Sequence, residues 1–211
     1  TEDQRAELDL SSWRVAYNGS EPVRQATLTS FARAFAGCGF RAESCRPTYG
    51  LAEATLLVST SPRLTRPVVS RFSAAMLAKD RAVEARELIP DAIALVPCGA
   101  PTRDTRVIIV DPRDRTQRAP GEVGEIWVSG PGVAQGYWQR PEETERVFNA
   151  RLGNTNAGPF LRTGDLGFLG DDGYLRLIER KDDLIIRGGQ NVYPIDIEEV
   201  EIPYDGSTLP G

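Results

Sequence analysis

The sequence predicts an α/β protein in which a strand–helix–strand layer precedes an antiparallel meander or small barrel. Three observations carry this. Of the 211 residues, 40% are apolar and 26% charged, the balance of a chain that packs a core. Residues 13–50 alternate, then take helical spacing, then alternate again. From Ile93 onward the apolar runs are short and separated by turn signals.

In order along the chain, "WRVAYNG" (13–19) alternates into a turn and reads as a strand. "SEPVRQATLTSFARAFAGCGF" places Val23, Leu28, Phe31 and Phe35 near helical spacing, with Gly37 and Gly39 as stops. "RAESCRPTYG" is the next strand, running into a loop at Pro47. Residues 60–90 open with Pro, Ser and Arg and then predict a helix from about Phe72 to Glu87, an inserted arm that is mobile at its start. "IALVPCG", "TRVIIVD", "GEIWVSG", "YLRLIER" and "DDLIIRGG" follow as strands, with "DPRDRTQRAPGE" and "GDDG" between them as turns. "YPIDIEEVE" starts a helix with Pro194 in its first turn, and "IPYDGSTLPG" reads as a linker.

Composition narrows the chemistry. A net charge of −5 argues against a dedicated nucleic-acid binder. No run approaches the ~18 apolar residues of a membrane span, and the N-terminus is not a signal peptide. Cys38, Cys45 and Cys98 lack metal-ligand spacing, so buried thiols in a reducing cytoplasm are expected. There is no histidine, which removes a Ser-His-Asp triad, a Cys-His pair and His-ligated zinc from this chain. Chemistry must rest on carboxylates, arginine, backbone N–H groups or a bound cation.

Four loops offer such groups. In "PTYGLAEATL", Tyr49 can lie on a purine and Glu53 can hold Mg²⁺ on phosphates, although a half-buried tyrosine and a surface glutamate give the same pattern. "YNGSEPV" exposes backbone groups that can read an adenine edge or merely cap the next helix. "RTGD" sets Asp165 after a Thr-Gly turn, where a carboxylate can accept both ribose hydroxyls. Arg180 can return to that sugar, or form a surface ion pair within a solvated "RKDD" run. Together they compose a nucleotide site.

The order "NGSEPV", "YGLAE", "VGEIWVSGPGVAQGYW", "RTGDLGF", "ERKDDLIIRGG", "YPIDIE" resembles the adenylate-forming superfamily of acyl- and aryl-CoA ligases, luciferases and peptide-synthetase adenylation domains. Over residues 9–201 it is most similar to the fatty acyl-AMP ligases. The resemblance implies the late part of a large N-terminal domain, ending just past a hinge. Residues 1–100 would form an α/β subdomain carrying the adenine and Mg²⁺ loops, with 60–90 a family insertion. Residues 101–180 would form a barrel-like subdomain with the ribose aspartate, 181–201 the hinge and the start of a truncated C-terminal subdomain, and 202–211 a linker-like tail.

By the same resemblance, Asn18, Gly19, Ser20 and Glu21 would lie along the adenine and Tyr49 would stack on it. Gly50, Leu51 and Ala52 would floor the pocket near the α-phosphate, and Glu53 would bind Mg²⁺. Asp165 and Arg180 would hold the ribose, Leu177 would pack near the nucleoside, and Asp182 would be the hinge. The implied reaction joins a fatty acid to ATP as an acyl-adenylate. The acyl group then passes to the phosphopantetheine thiol of an acyl carrier protein serving a polyketide or peptide synthase. Ala52, where CoA ligases commonly carry threonine, and the 60–90 segment favour that acceptor. "RGGQNVYPIDIEEVE" and Glu179, in place of the usual glycine, keep a long-chain acyl-CoA ligase open. The family's phosphate loop would precede residue 1 and its adenylating lysine would follow residue 201. Neither Lys79 nor Lys181 matches that lysine, so a non-catalytic nucleotide-binding fragment is the further alternative.

Overall fold

The computed structural model describes residues 2–85, 92–183, 185–187 and 190–192. After a short helix α1 (Glu2–Ala6), strand β1 (Ala16–Asn18) leads through helix α2 (Gln25–Phe35) to β2 (Cys45–Leu51), which pairs with β1 in parallel. This is the strand–helix–strand unit expected from the alternation, although the first strand is only three residues long. No residue of α2 is fully buried; Phe31 fixes it edge-on to Phe40 at 5.1 Å and to Trp13 at 6.1 Å.

β2 turns back through residues 52–54 into β3 (Leu56–Thr60), and the pairing shifts between Tyr49 and Gly50. The hairpin is tight: Thr55 and Leu56 have φ of 52° and 79°, and a Cβ on Gly50 would collide with the Leu56 carbonyl. Backbone cannot swing aside as a flexible side chain can. Gly50→Ala is therefore expected to cost about 1–3 kcal/mol, read as a lowered denaturation midpoint. An unchanged midpoint would mean the turn has slack that its geometry denies.

Over its described residues, 72–85, the helix predicted from Phe72 to Glu87 does not form. Residues 70–73 make strand β4 (Ser70–Ser73), followed by a four-residue helix α3 (Ala74–Leu77) that ends before Asp80 at φ 58°. The chain then folds back, so Phe72 bridges Glu84 and Arg81 bridges Glu122. β4 pairs antiparallel with β5 (Ala92–Leu95). Phe72 and Leu77 pack with Leu166, Phe168 and Ile178, so this part lies against the main body and does not project as an arm. Tertiary burial overrides a stretch whose helix propensity is high.

A two-residue strand β6 (Ala100–Pro101) adds antiparallel to β3, completing a sheet in the order β1-β2-β3-β6. The meander follows as β7 (Arg106–Val110), β8 (Gly124–Ser129), β9 (Leu161–Leu169) and β10 (Leu175–Arg180), each antiparallel to the one before. Helix α4 (Pro141–Phe148) interrupts it between β8 and β9. A final described pair joins β11 (Ile185–Arg187) to β12 (Gln190–Val192). The helix expected from "YPIDIEEVE" and the linker-like tail lie outside the described residues.

Both faces of β7 and β8 are buried, so "VIIV" and "IWV" read as continuous apolar runs. Val107, Ile109, Ile126 and Val128 face Tyr49, Val58 and Phe148 in a core shared with the first sheet. Ile108, Val110 and Trp127 face Phe160 and Leu152 on the other side. The first core matters most here, because it brings β2 against β9.

Candidate nucleotide site

Asp165 does not follow a turn, as "RTGD" suggests; it sits within the nine-residue strand β9. Between the pairs Trp127–Arg162 and Glu125–Leu166 the register slips, so residues 163–165 bulge opposite Ile126 alone. Gly164 takes φ 75°, and the Thr163 hydroxyl ties the bulge by donating to the Ile126 carbonyl at 2.8 Å and accepting the Asp165 N–H at 3.1 Å. A Thr-Gly pair therefore builds a bulge here, and the bulge re-aims the aspartate.

Three expected residues meet at that point. The Tyr49 hydroxyl donates to Asp165 Oδ2 at 2.6 Å, across 116 residues of sequence. Arg180 stands directly opposite Asp165 in the β9–β10 ladder, its Nε 3.8 Å from Oδ1. Burial drives the Asp165 carboxyl above the usual carboxylate range; the Tyr49 bond and the Arg180 charge oppose that, while Glu53 and Glu125 add to it. Burial and the neighbouring carboxylate push the Tyr49 phenol up as well, so it remains a donor.

Around this cluster the expected residues divide between cavities. Leu51, Glu53, Arg180 and Asp182 line one of about 250 Å³, together with Arg146, Arg162 and Lys181. Gly19, Ser20, Tyr49 and Gly50 line a second of about 310 Å³, walled also by Tyr17 and Leu57. Asp165 lines neither cavity itself; held by Tyr49 of the second and 3.8 Å from Arg180 of the first, it links the two groups. Leu177 is placed elsewhere, in a third cavity with Val23, Arg71 and Cys98. Asn18 is half-buried and its carbonyl accepts from Thr48 Oγ1 at 3.2 Å, whereas Glu21 and Ala52 are exposed; none of the three lines these cavities. Asp182 lies exposed in the one-turn helix at Lys181–Asp183.

Glu53 is half-buried on the turn between β2 and β3. One carboxylate oxygen, Oε1, accepts from the Tyr137 hydroxyl at 2.7 Å. No group of three or more His, Cys, Asp or Glu side chains gathers as a metal cluster among the described residues. Mg²⁺ usually takes one or two carboxylates and completes its shell with water and substrate phosphates, so the single Glu53 carboxylate, with an oxygen open to the cavity, fits it. Sequence reasoning passed over Tyr137, and it also passed over Glu125. That carboxylate is buried beneath the same cavity, where Arg162 holds both oxygens at 3.2 and 2.8 Å and Lys181 approaches to 4.0 Å.

Among the described residues no helix is long and apolar enough to cross a membrane. Cys38, Cys45 and Cys98 are free thiols.

Comparison with known proteins identifies relatives of the chain and of its fold. The family described as AMP-binding enzyme matches residues 1–138. The chain is 48% identical over 200 residues to the medium-chain-fatty-acid–[acyl-carrier-protein] ligase JamA of Moorena producens, covering 94% of this chain and 34% of that protein. It is 42% identical over 199 residues to the putative fatty-acid–CoA ligase fadD21 of Mycobacterium leprae, covering 92% of this chain and 33% of that protein. Its fold superposes with a TM-score of 0.80 and 40% identity on a fatty acyl-adenylate ligase from L. pneumophila, solved with acyl adenylate and pyrophosphate, over 85% of this chain and 31% of that one. The chain thus spans about a third of the length of the curated relatives it matches.

Proposed function

We propose a function from one premise: this chain belongs to the AMP-binding enzyme family. Its mixed α/β fold is that of adenylate-forming enzymes. The activity we propose for the protein is ATP-dependent conversion of a fatty acid to its acyl-adenylate, followed by acyl transfer to the phosphopantetheine thiol of an acyl carrier protein for polyketide or lipopeptide assembly. The observation that carries the reading is the Tyr49–Asp165–Arg180 cluster between two cavities, one holding Glu53.

In the first step a carboxylate oxygen of the fatty acid bonds to the α-phosphorus of ATP as the bond to pyrophosphate breaks, and pyrophosphate leaves with the electron pair. No proton moves, so the step asks for no histidine from this chain. What the protein must do is align two anions and neutralise growing charge. Asp165 would take the ribose hydroxyls on the lone pairs that Tyr49 leaves free, with Arg180 beside it to offset the buried charge. Tyr49 would offer its ring toward the adenine from the cavity it shares with Gly19 and Ser20. Glu53 would hold Mg²⁺, which supplies charge neutralisation on the phosphates. Arg146, Arg162 and Lys181 line the same cavity with their ion-pair partners Glu143 and Glu125. In the second step the thiol sulfur attacks the acyl carbonyl, AMP departs, and the thiol proton passes to solvent. Asp182, on the turn that closes the first cavity, would be the pivot about which the chain beyond rotates between the steps.

A CoA acceptor is the second reading, favoured by the 42% identity to a putative fatty-acid–CoA ligase. The two separate in one assay on the natural protein, given ATP, fatty acid and either CoA or phosphopantetheinylated carrier protein. Fatty-acid-dependent pyrophosphate exchange with acyl transfer to the carrier is expected; efficient acyl-CoA formation would overturn the carrier assignment. Three free thiols accord with a cytoplasmic setting for this chemistry.

A further inference from the structure

We propose that Tyr137 is a positioning residue for Glu53, holding one carboxylate oxygen so that the other is presented to a divalent cation on the nucleotide phosphates. The inference rests on the reading of Glu53 as the cation carboxylate and adds to it the device that aims it.

The turn bearing Glu53 is short and exposed on one side, and nothing within it fixes the glutamate side chain. The fixing comes from the loop after β8. Its Ala134 N–H donates to the Glu53 carbonyl at 2.8 Å, and the Thr55 hydroxyl donates to the Gly132 carbonyl at 2.6 Å. Tyr137 adds the third link, from its hydroxyl to Glu53 Oε1. One backbone bond and one from the Thr55 hydroxyl locate the turn, and the Tyr137 hydroxyl orients the carboxylate.

Tyr137 is itself held. Its N–H donates to Thr144 Oγ1 at 2.9 Å, and its ring packs edge-on to Phe148 with centroids 5.0 Å apart, both residues being on α4. Gly136 leaves the room this needs, because a Cβ there would strike the Thr144 side chain. The phenol is the donor of this bond, because a carboxylate oxygen only accepts. Among the described residues the second oxygen of Glu53 has no hydrogen-bond partner in the protein, and the residue lines the cavity with Arg180 and Arg146. A carboxylate pinned at one oxygen and open at the other is the arrangement that outer-shell partners give to metal ligands.

The test measures how much Mg²⁺ tightens binding of a non-reacting ATP analogue, α,β-methylene-ATP, to the natural protein by calorimetry. Tyr137→Phe keeps the ring against Phe148 and removes only the hydroxyl. It should cut the Mg²⁺-dependent gain in affinity about tenfold, the size typical of losing an outer-shell partner, and leave metal-free binding of the analogue unchanged. In turnover, its half-saturating Mg²⁺ should rise while kcat at saturating Mg²⁺ recovers, a split that a general structural lesion would not give. Glu53→Gln should abolish the gain. If Glu53→Gln abolishes it but Tyr137→Phe leaves it unchanged or larger, the positioning role is refuted and the Glu53 reading survives. If Glu53→Gln keeps the gain, the Glu53 reading falls, and this inference falls with it.

Discussion

Asp165→Asn is expected to weaken AMP binding by about tenfold or more while leaving the melting temperature equal to or above that of the native protein. A hydrogen bond to a charged group contributes ~1.5–3 kcal/mol, and each 1.4 kcal/mol is a factor of ten in affinity. The stability side follows from burial. Because the folded protein raises the Asp165 carboxyl above its ordinary range, the fold favours the neutral form. The stability associated with this group is complete below its unfolded pKa and is lost as pH rises through the raised folded value. Near neutrality the native protein therefore carries a cost that asparagine does not, and Tyr49 can still donate to the amide oxygen. The melting-temperature gap between variant and native should open as pH rises through that window and close in acid. A variant that melts lower at every pH and binds AMP normally would assign Asp165 to the fold alone.

That separation of binding from stability explains how much of the site could be read from sequence. Tyr49, Glu53, Asp165 and Arg180 stand out because their chemistry is local: a ring by a glycine, or an acid in an apolar run. What holds them is not local. The Tyr137–Glu53 bond spans 84 residues and the Glu125–Arg162 pair 37, so neither leaves a pattern in any short window. The bulge at residues 163–165 reads as a turn because Thr-Gly serves both, and only the partner strand decides between them. Phe72–Glu87 fails differently. Its composition favours a helix, but Phe72 finds Phe168 at 5.1 Å and Leu77 is driven into the same core, and that burial outweighs a propensity difference of tenths of a kcal/mol per residue. Helix α4 was legible and went unread: Pro141 opens it, Glu142 and Glu143 fill its first turn, and Arg146 sits in its last.

Arg162→Met should produce the larger loss of stability, about 3–5 kcal/mol by chemical denaturation. Glu125 is almost wholly buried, with 2% of its side chain exposed, and Arg162 supplies both of its close contacts. Removing one partner of a buried pair leaves the other charge desolvated and uncompensated, which costs more than the pair itself contributes. Lys181 is the only other cation close to it among the described ion pairs; at 4.0 Å and partly exposed, it screens the charge without replacing a two-point guanidinium contact. The methionine also forfeits the cation's place 5.7 Å from the Trp127 ring. If this account holds, Glu125→Gln combined with Arg162→Met is more stable than Arg162→Met alone, because the second change removes the stranded charge. A double variant no better than the single would show that the arginine acts through packing. The pair also bears on the site: Arg162 enters the bulge that aims Asp165, and Glu125 and Lys181 line the Glu53 cavity. Binding and stability should therefore fall together in Arg162→Met, where in Asp165→Asn they part, and that contrast distinguishes the frame of the site from the groups that touch the nucleotide.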